Sequence, residues 1–464
     1  MIKNNKQNQR FAAISLFSGS GIGDIGFKAS GADFLLMNEL LVDRAQLLSI
    51  NFPNVSIVTG DVWECTDQII ETTLRKIESL GMPLFLVSCT APCQGMSKSG
   101  QGTLLKNIRA GKRPKFDIRN RLILPALKII KTLHPEFVVL ENVCEMRNTI
   151  IENDDGQYRL ILDIIRGKLG KEYVGGPYDV EMADYGISQR RKRLITVFTR
   201  NELAIKYYEK GVELIPETTH SNNPKLDKLP WVSVGEALKG FPPLDAKSFE
   251  TTNCESMPFH RVSVLDPKKY EWIRHTAINS SAFDNQCINS ECGFQGNSVH
   301  GAKRNGAGIN QAKKDTPLYC QKCGSLLPRP YVKMKDGTLR IMSGYTSAYK
   351  RMDPDLPCPT LTRNMSFPCS DHKVHFSENR VLSLAEAFRL HTLNDYDYKW
   401  GPICDDKGRG RDFAADTTIR ESIGESIPPR FLEMLGNHLV KLSKEDSQFY
   451  CGGRQLQLLD LSLV

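Results

Sequence analysis

The chain has 464 residues, with 61 basic against 53 acidic side chains and a formal charge of +8. That length admits two or three domains and a sizeable core, and the charge permits a polyanionic partner without requiring one. The opening Met1–Arg10 is too polar for a signal peptide, and no later run approaches the roughly 18 uninterrupted apolar residues of a membrane span, so a soluble, cytoplasmic protein without membrane contact is expected. Thirteen cysteines, an odd number unevenly spread, fit free thiols plus a metal site better than a disulfide framework.

Taken in order, Ala12-Ala13-Ile14-Ser15-Leu16-Phe17 reads as a strand, and Ser18-Gly19-Ser20-Gly21-Ile22-Gly23 as a glycine-rich turn that lets backbone approach a nucleotide-like ligand. The next strand, Phe34-Leu35-Leu36-Met37, ends in Asn38-Glu39, an acid about 20 residues after the glycines, where such folds grip ribose hydroxyls. A third strand, Ser56-Ile57-Val58, delivers Gly60-Asp61-Val62 to the same edge, with helix capping the ordinary alternative role for such an acid. The apolar run Leu84-Phe85-Leu86-Val87 reads as a buried strand leading to Ala91-Pro92-Cys93-Gln94-Gly95-Met96-Ser97. Cys93 in that turn is a nucleophile candidate, since it lies where open α/β sheets place their ligands, and a buried structural thiol is the plainer reading. The basic loop from Ser97 to Arg121 fits either a solvated surface or a lid that touches phosphates. Leu122 to Leu133 has helical periodicity, and the strand Phe137-Val138-Val139-Leu140 ends in Glu141-Asn142-Val143, a second carboxylate at the edge that carries Cys93. Gln189-Arg190-Arg191-Lys192-Arg193 then leads into the strand Leu194–Phe198, four consecutive cations suited to phosphates or buried acids.

Strands alternating with helices to about Arg200 predict a doubly wound, mostly parallel sheet of the α/β class. From 201 to about 378 the chain is richer in Pro, Asn, Ser and Lys and lacks that rhythm, so a separate irregular domain is expected. Within it Cys287 and Cys292, then Cys320 and Cys323, have the spacing of two turns that give a four-sulfur zinc site. Lys303, Arg304, Lys313, Lys314, Arg329 and Lys333 flank these turns as candidate phosphate contacts or as ordinary solvated surface. Regular structure returns with helical periodicity over Ser383–Leu393 and over Arg430–Val440, whose apolar stripe of Phe431, Leu435 and Leu439 is expected to pack back on the first domain.

In order and spacing these segments resemble the DNA (cytosine-5)-methyltransferase family, over about residues 11–200 and 378–441. Phe17-Ser18-Gly19-Ser20-Gly21 resembles its cofactor loop, Glu39 its ribose acid and Asp61-Val62 its adenine contact. Pro92-Cys93-Gln94 resembles the catalytic loop, Glu141-Asn142-Val143 the base-protonating motif, and Gln189, Arg191 and Arg193 the Gln-x-Arg-x-Arg motif. Glu378 to Ser383 resembles the motif that closes the recognition domain, and Gly424 to Val440 the final cofactor motif. Departures are Ile22 for a second glycine, Met96 for Phe, Ser188 for Pro, His391-Thr392-Leu393-Asn394 for Gln-x-Phe-Pro, and Glu425 for Asn. The resemblance implies a Rossmann-like S-adenosylmethionine-binding catalytic domain over 11–200, completed by 418–445. It implies a target recognition domain over 201–417, here with a zinc-ribbon-like insert at 285–326. Implied site residues are Cys93, Glu141, Gln189, Arg191 and Arg193 for catalysis, and Phe17, Ser18, Gly19, Gly21, Ile22, Glu39, Asp61, Val62 and Pro92 for the cofactor. Implied partners are double-stranded DNA and a companion restriction endonuclease, for a protein expected to be a monomer. RNA cytosine-5 methylation and a non-catalytic DNA-binding relative are the rival readings.

Overall fold

The computed structural model describes residues 10–92, 118–225, 227–299, 302–304, 310–312, 316–342, 348–370, 372–405, 407–444, 448–451 and 454–457. Cys93, with the basic loop that follows it, and Lys313 and Lys314 lie outside the described residues.

Strand β1 (Phe11–Leu16) is buried at every position, as a strand covered on both faces must be. It leads through the glycine turn into helix α1 (Asp24–Ala29), then β2 (Ala32–Glu39), helix α2 (Val42–Asn51), β3 (Ser56–Thr59) and helix α3 (Val62–Leu80). Asp61 caps α3 by accepting from Trp63 N at 2.9 Å, and Gly81 ends it with φ +61°, the left-handed conformation glycine adopts without strain. Next come β4 (Leu84–Cys89), helix α4 (Ile123–Leu133), β5 (Phe137–Asn142), helix α5 (Ile161–Leu169), β6 (Val174–Glu181) and β7 (Lys192–Thr199).

The seven strands form one sheet in the order β3-β2-β1-β4-β5-β7-β6. Strands β1 to β5 are parallel, while β7 runs antiparallel to both β5 and β6. Six of the seven strands thus run the same way, the mostly parallel sheet expected, with β7 alone reversed. Only residues 182–191 join β6 to β7, too few for a crossover of a dozen or more, so neighbouring strands must turn back on each other. Helices cover both faces. Phe27 of α1 and Leu47 and Leu48 of α2 lie in the core of one face, and Ile69 of α3, Ile130 of α4 and Ile165 of α5 in that of the other.

The first of these cores runs on into Val234, Leu238, Met352, Cys358, Leu361 and Leu382 from the irregular stretch. Smaller clusters form around Trp272, Phe283 and Tyr349, and around Cys287, Cys320 and Leu327. The chain closes with helices α6 (Leu384–Leu390), α7 (Asp416–Glu425) and α8 (Pro429–Leu442). Ser383 and Glu386 form a reciprocal capping box at the start of α6, and buried Arg380 grips the same carboxylate at 2.7 and 2.8 Å. Helix α8 lies on α1 at close range: a Cβ at Gly26 would stand 2.0 Å from Pro429 O, and one at Gly436 2.1 Å from Ser30 Oγ. Among the described residues no helix is long and apolar enough to cross a membrane.

Candidate active site

Strand order reverses between β1 and β4, and the crevice outside their carboxyl ends is where open α/β sheets hold ligands. Four chain segments converge there. Phe17 turns with φ +58°, followed by Gly19 at +56° and Gly21 at +77°. The Gly19 amide donates to Glu39 Oε2 at 2.8 Å, and Leu41 N to Oε1 at 3.0 Å, so the acid at the end of β2 is fixed against the glycine turn. A side chain at Gly21 would strike Phe52 at 2.6 Å, whereas a Cβ at Gly19 meets nothing within 4 Å. The Ser18 hydroxyl donates back to Ser15 O, and Tyr398 donates to Ser20 O at 2.7 Å, which braces the turn from outside. Ile22 and Val62 are buried in the core. Asp61 takes the capping role, its Oδ1 committed to α3.

Just beyond β2 and β3, Leu40, Leu41, Val42 and Trp63 expose apolar surface, Val42 by 64%. A fixed acid, an open glycine turn and this apolar margin fit an adenosine-bearing cofactor: the acid for ribose hydroxyls, the apolar residues for a purine.

The approach to Cys93 is suspended between two motifs. Thr90 donates its hydroxyl to Phe17 O at 2.7 Å, and Asn142 donates its amide to Ala91 O at 3.0 Å. Pro92 is the last described residue before the turn. Cys89, at the end of β4, is a poor nucleophile because burial pushes its thiol up to about 12.

Glu141 ends β5 almost wholly buried, and Arg193 Nε lies 3.0 Å from its Oε1. Burial raises the carboxyl's affinity for a proton, while Arg193 and, more weakly, Arg191 oppose the shift. Arg193 is thus the cation that touches Glu141. Arg191, an implied catalytic residue, is fully buried and its guanidinium donates to Leu361 O and Gly424 O. Gln189 also faces inward: its Oε1 accepts from Leu361 N, and its Nε2 lies 3.2 Å from His391 Nδ1. An amide nitrogen only donates, so Nδ1 accepts, and His391 Nε2 carries the hydrogen that it donates to Ser426 Oγ at 2.9 Å. Burial holds His391 neutral, its proton affinity well below the usual range. Glu425, the departure from Asn, pairs with Arg44 of α2 at 2.7 Å.

Sequence reasoning missed Thr90, Glu181, Arg44 and Tyr398. Thr90 directly precedes the Cys93 turn, a signal that was available. Glu181 Oε1 accepts from Arg191 N at 2.6 Å, and nothing in its sequence context marks it.

In the irregular stretch the sulfurs of Cys287, Cys292, Cys320 and Cys323 all lie within 4.8 Å of one another. Cys287 and Cys323 stand 3.7 Å apart, and Cys292 and Cys320 4.0 Å, pairings that cross between the two turns. Arg329, a candidate phosphate contact from sequence, is instead interior. Its guanidinium donates to the carbonyls of Asn285, Ser298 and Pro317 and so ties the two turns together from behind. Lys333 is exposed, and of Lys303 and Arg304 only the backbone strand is described.

The description of C-5 cytosine-specific DNA methylases matches residues 11–441. The Type II methyltransferase M1.HgaI of Avibacterium volantium is 29% identical over 429 residues, 90% of this chain and 95% of the relative. M.XorII of Xanthomonas oryzae pv. oryzae is 29% identical over 97% of this chain and 89% of its own. A solved structure described as a DNA modification methyltransferase encoded within an E. coli prophage shares the fold, with TM-score 0.53 and 18% identity over 93% of this chain and 99% of that one. With the sheet, the cofactor crevice and the Glu141–Arg193 pair in place, the chain belongs to the C-5 cytosine-specific DNA methylase family and is a DNA (cytosine-5-)-methyltransferase.

Proposed function

We propose that the protein methylates carbon 5 of a cytosine flipped out of a specific duplex sequence, through a covalent adduct with Cys93, and acts as the modification half of a restriction–modification pair. The observation that carries this reading is the buried Glu141 with Arg193 at 3.0 Å, at the same sheet edge where Thr90 and Ala91, which lead to Cys93, are held by Phe17 O and Asn142. Carbon 5 is a weak nucleophile until a thiolate adds to carbon 6. Cys93 forms that carbon–sulfur bond while Glu141, favoured in its protonated form by burial, gives its proton to ring nitrogen 3. Arg193 orients the carboxyl and balances the negative charge left on it. S-adenosylmethionine, held by Phe17, Ser18, Gly19, Gly21 and Glu39, supplies the methyl group when bound. Loss of the carbon-5 proton and departure of the Cys93 thiolate then restore the aromatic ring. The target atoms are inaccessible inside a duplex, so the base must leave the stack. Gln189 and Arg191 act as positioning residues, holding the strand that bears Arg193 against residues 361 and 424–426.

The recognition domain spans 201–417, where four thiolates bind one structural zinc. A zinc–sulfur bond of about 2.3 Å implies tetrahedral sulfur–sulfur edges of about 3.8 Å, which the 3.7 and 4.0 Å pairs match. With all four positions taken by sulfur, the ion has no open site for chemistry.

The test uses duplex DNA carrying 5-fluorocytosine with S-adenosylmethionine. Fluorine cannot leave as the proton does, so a stable adduct on the Cys93 peptide is expected by mass spectrometry. Transfer of labelled methyl groups to cytosine DNA by Cys93→Ser at near wild-type rate would falsify the covalent route, and a wild-type protein that labels RNA but not DNA overturns the choice of substrate.

A further inference from the structure

Arg190, like Lys192, is a cation of the Gln189–Arg193 run that neither pairs with Glu141 nor points into the interior, and it is the one laid over an aromatic ring. Its main chain is fixed on both sides: Gln189–Arg190 ladders with Cys358–Pro359, and the Thr360 hydroxyl donates to Arg190 O at 2.7 Å. Its guanidinium lies over the Trp231 indole, 5.2 Å from the ring centroid. That indole is itself anchored by donation from Nε1 to Asp184 Oδ1 at 2.8 Å. Yet the Arg190 side chain stays 51% exposed. Glu181 approaches its Nε only at 3.6 Å, and the Glu181 Oε1 is already committed to Arg191 N.

Arg190, Lys192 and Arg193 line a cleft of about 510 Å³ immediately beyond the end of β5 that carries Glu141, with Glu145, Glu181 and Asp353 also on its walls. We propose that Arg190, backed by Trp231, grips a backbone phosphate of the DNA seated in this cleft. An arginine held over an aromatic ring still presents edge donors to solvent, the planar fork that matches phosphate oxygens. A solvated surface arginine gains nothing from a fixed backbone and an anchored ring. A phosphate ligand does, because the side-chain ordering is done before it arrives. The assignment rests on DNA being the substrate and adds the contact that places its strand beside Glu141.

The test measures binding of the full-length protein to two labelled duplexes, one that the wild type methylates and one that it does not, across a salt series. Arg190→Ala and Arg190→Gln should weaken both duplexes by a similar factor, about five- to tenfold, and make the slope of log affinity against log salt shallower by about one. S-adenosylmethionine affinity should not change. Trp231→Ala should give part of the same loss, Trp231→Phe little, and Trp231→Ala should add nothing in the Arg190→Ala background. Unchanged affinity and slope in Arg190→Gln overturn the proposal, as does a loss confined to the methylated duplex with the slope intact, which is base reading. An equal further loss from Trp231→Ala without Arg190 overturns the backing role. A wild-type protein that binds neither duplex overturns the DNA reading and this one together, whereas a loss-free Arg190→Gln overturns this one alone.

Discussion

Burial raises the proton affinity of Glu141 and of Asp24, with different consequences. Glu141 is raised by burial and opposed by Arg193, so its protonated form, the donor to the base in the proposed mechanism, is lost as pH rises through its elevated pKa. Glu141→Gln keeps the shape and removes the proton supply. Single-turnover methylation should fall by roughly two to four orders of magnitude while cofactor affinity, measured by calorimetry, stays put. Loss of cofactor binding with turnover intact at saturating cofactor would reverse the roles. Asp24, at the start of α1, takes a hydrogen bond from Ser15 at 3.0 Å, and burial raises it to about 7. The unfolded chain releases that proton near the ordinary value of 3.8, so between there and about 7 the folded state binds more protons, and stability falls as pH rises. Above that window the cost is complete and constant. Asp24→Asn should therefore gain on the wild type through this range and then hold a steady advantage, of order a few kcal/mol at most. Urea unfolding at pH 5 and pH 8 checks it, and a pH-independent difference counts against the burial account.

At the scale of elements, the seam between α1 and α8 is backbone against backbone. A methyl at Gly26 would sit 2.0 Å from Pro429 O, an atom that cannot rotate away, so Gly26→Ala should push the two helices apart. Overpacking typically costs about 1–3 kcal/mol and more where main chain must shift. Thermal melts should show that loss together with weaker cofactor binding, since α1 begins where the glycine turn ends. An unchanged melting point would contradict the tight seam. The central strands were legible in the sequence because burial on both faces demands uninterrupted apolar runs, as in β1, β4 and β5. Strand β6 was not: Val174-Gly175-Gly176-Pro177 reads as a turn. It is an edge strand, where proline is tolerated, and a side chain at Gly175 would meet Val197 O at 2.1 Å. The strand β7 was legible over Leu194–Phe198, but its reversed direction was not, since that depends on the strand it turns back from. Glu39 and Glu141 could be placed from their strands alone, but the division of labour between Arg191 and Arg193 could not. Two residues apart on an extended chain, one side chain goes to Gly424 and the other to Glu141, and only the tertiary partners distinguish them.

Over the whole molecule, the segments that hold the site are far apart in sequence. Gln189, His391 and Ser426 form one line of hydrogen bonds, and Arg44 reaches Glu425, so the cofactor end and the recognition stretch share supports. The four-cysteine cluster stands outside that arrangement, with only Leu327 and the partly buried Phe294 packed beside it. Chelation of the metal, or Cys320→Ser with Cys323→Ser, should loosen residues 280–335 to proteolysis and weaken sequence-specific DNA binding, while S-adenosylmethionine still binds. Elemental analysis should find one zinc per chain. Its absence from protein purified without chelator, or full site-specific methylation by the double variant, would remove the metal from the account. The seating of α8 on α1 also sets an order of events during synthesis. Residues 11–200 leave the ribosome with one flank of α1 uncovered, and the helix that covers it, Pro429–Leu442, is made last of all the helices described. Until then the nascent chain has its glycine turn but not the wall behind it. Competence to bind the methyl donor is therefore expected only after residues 201–417 have been made, so a ribosome stalled within them would display a cofactor half that cannot yet work.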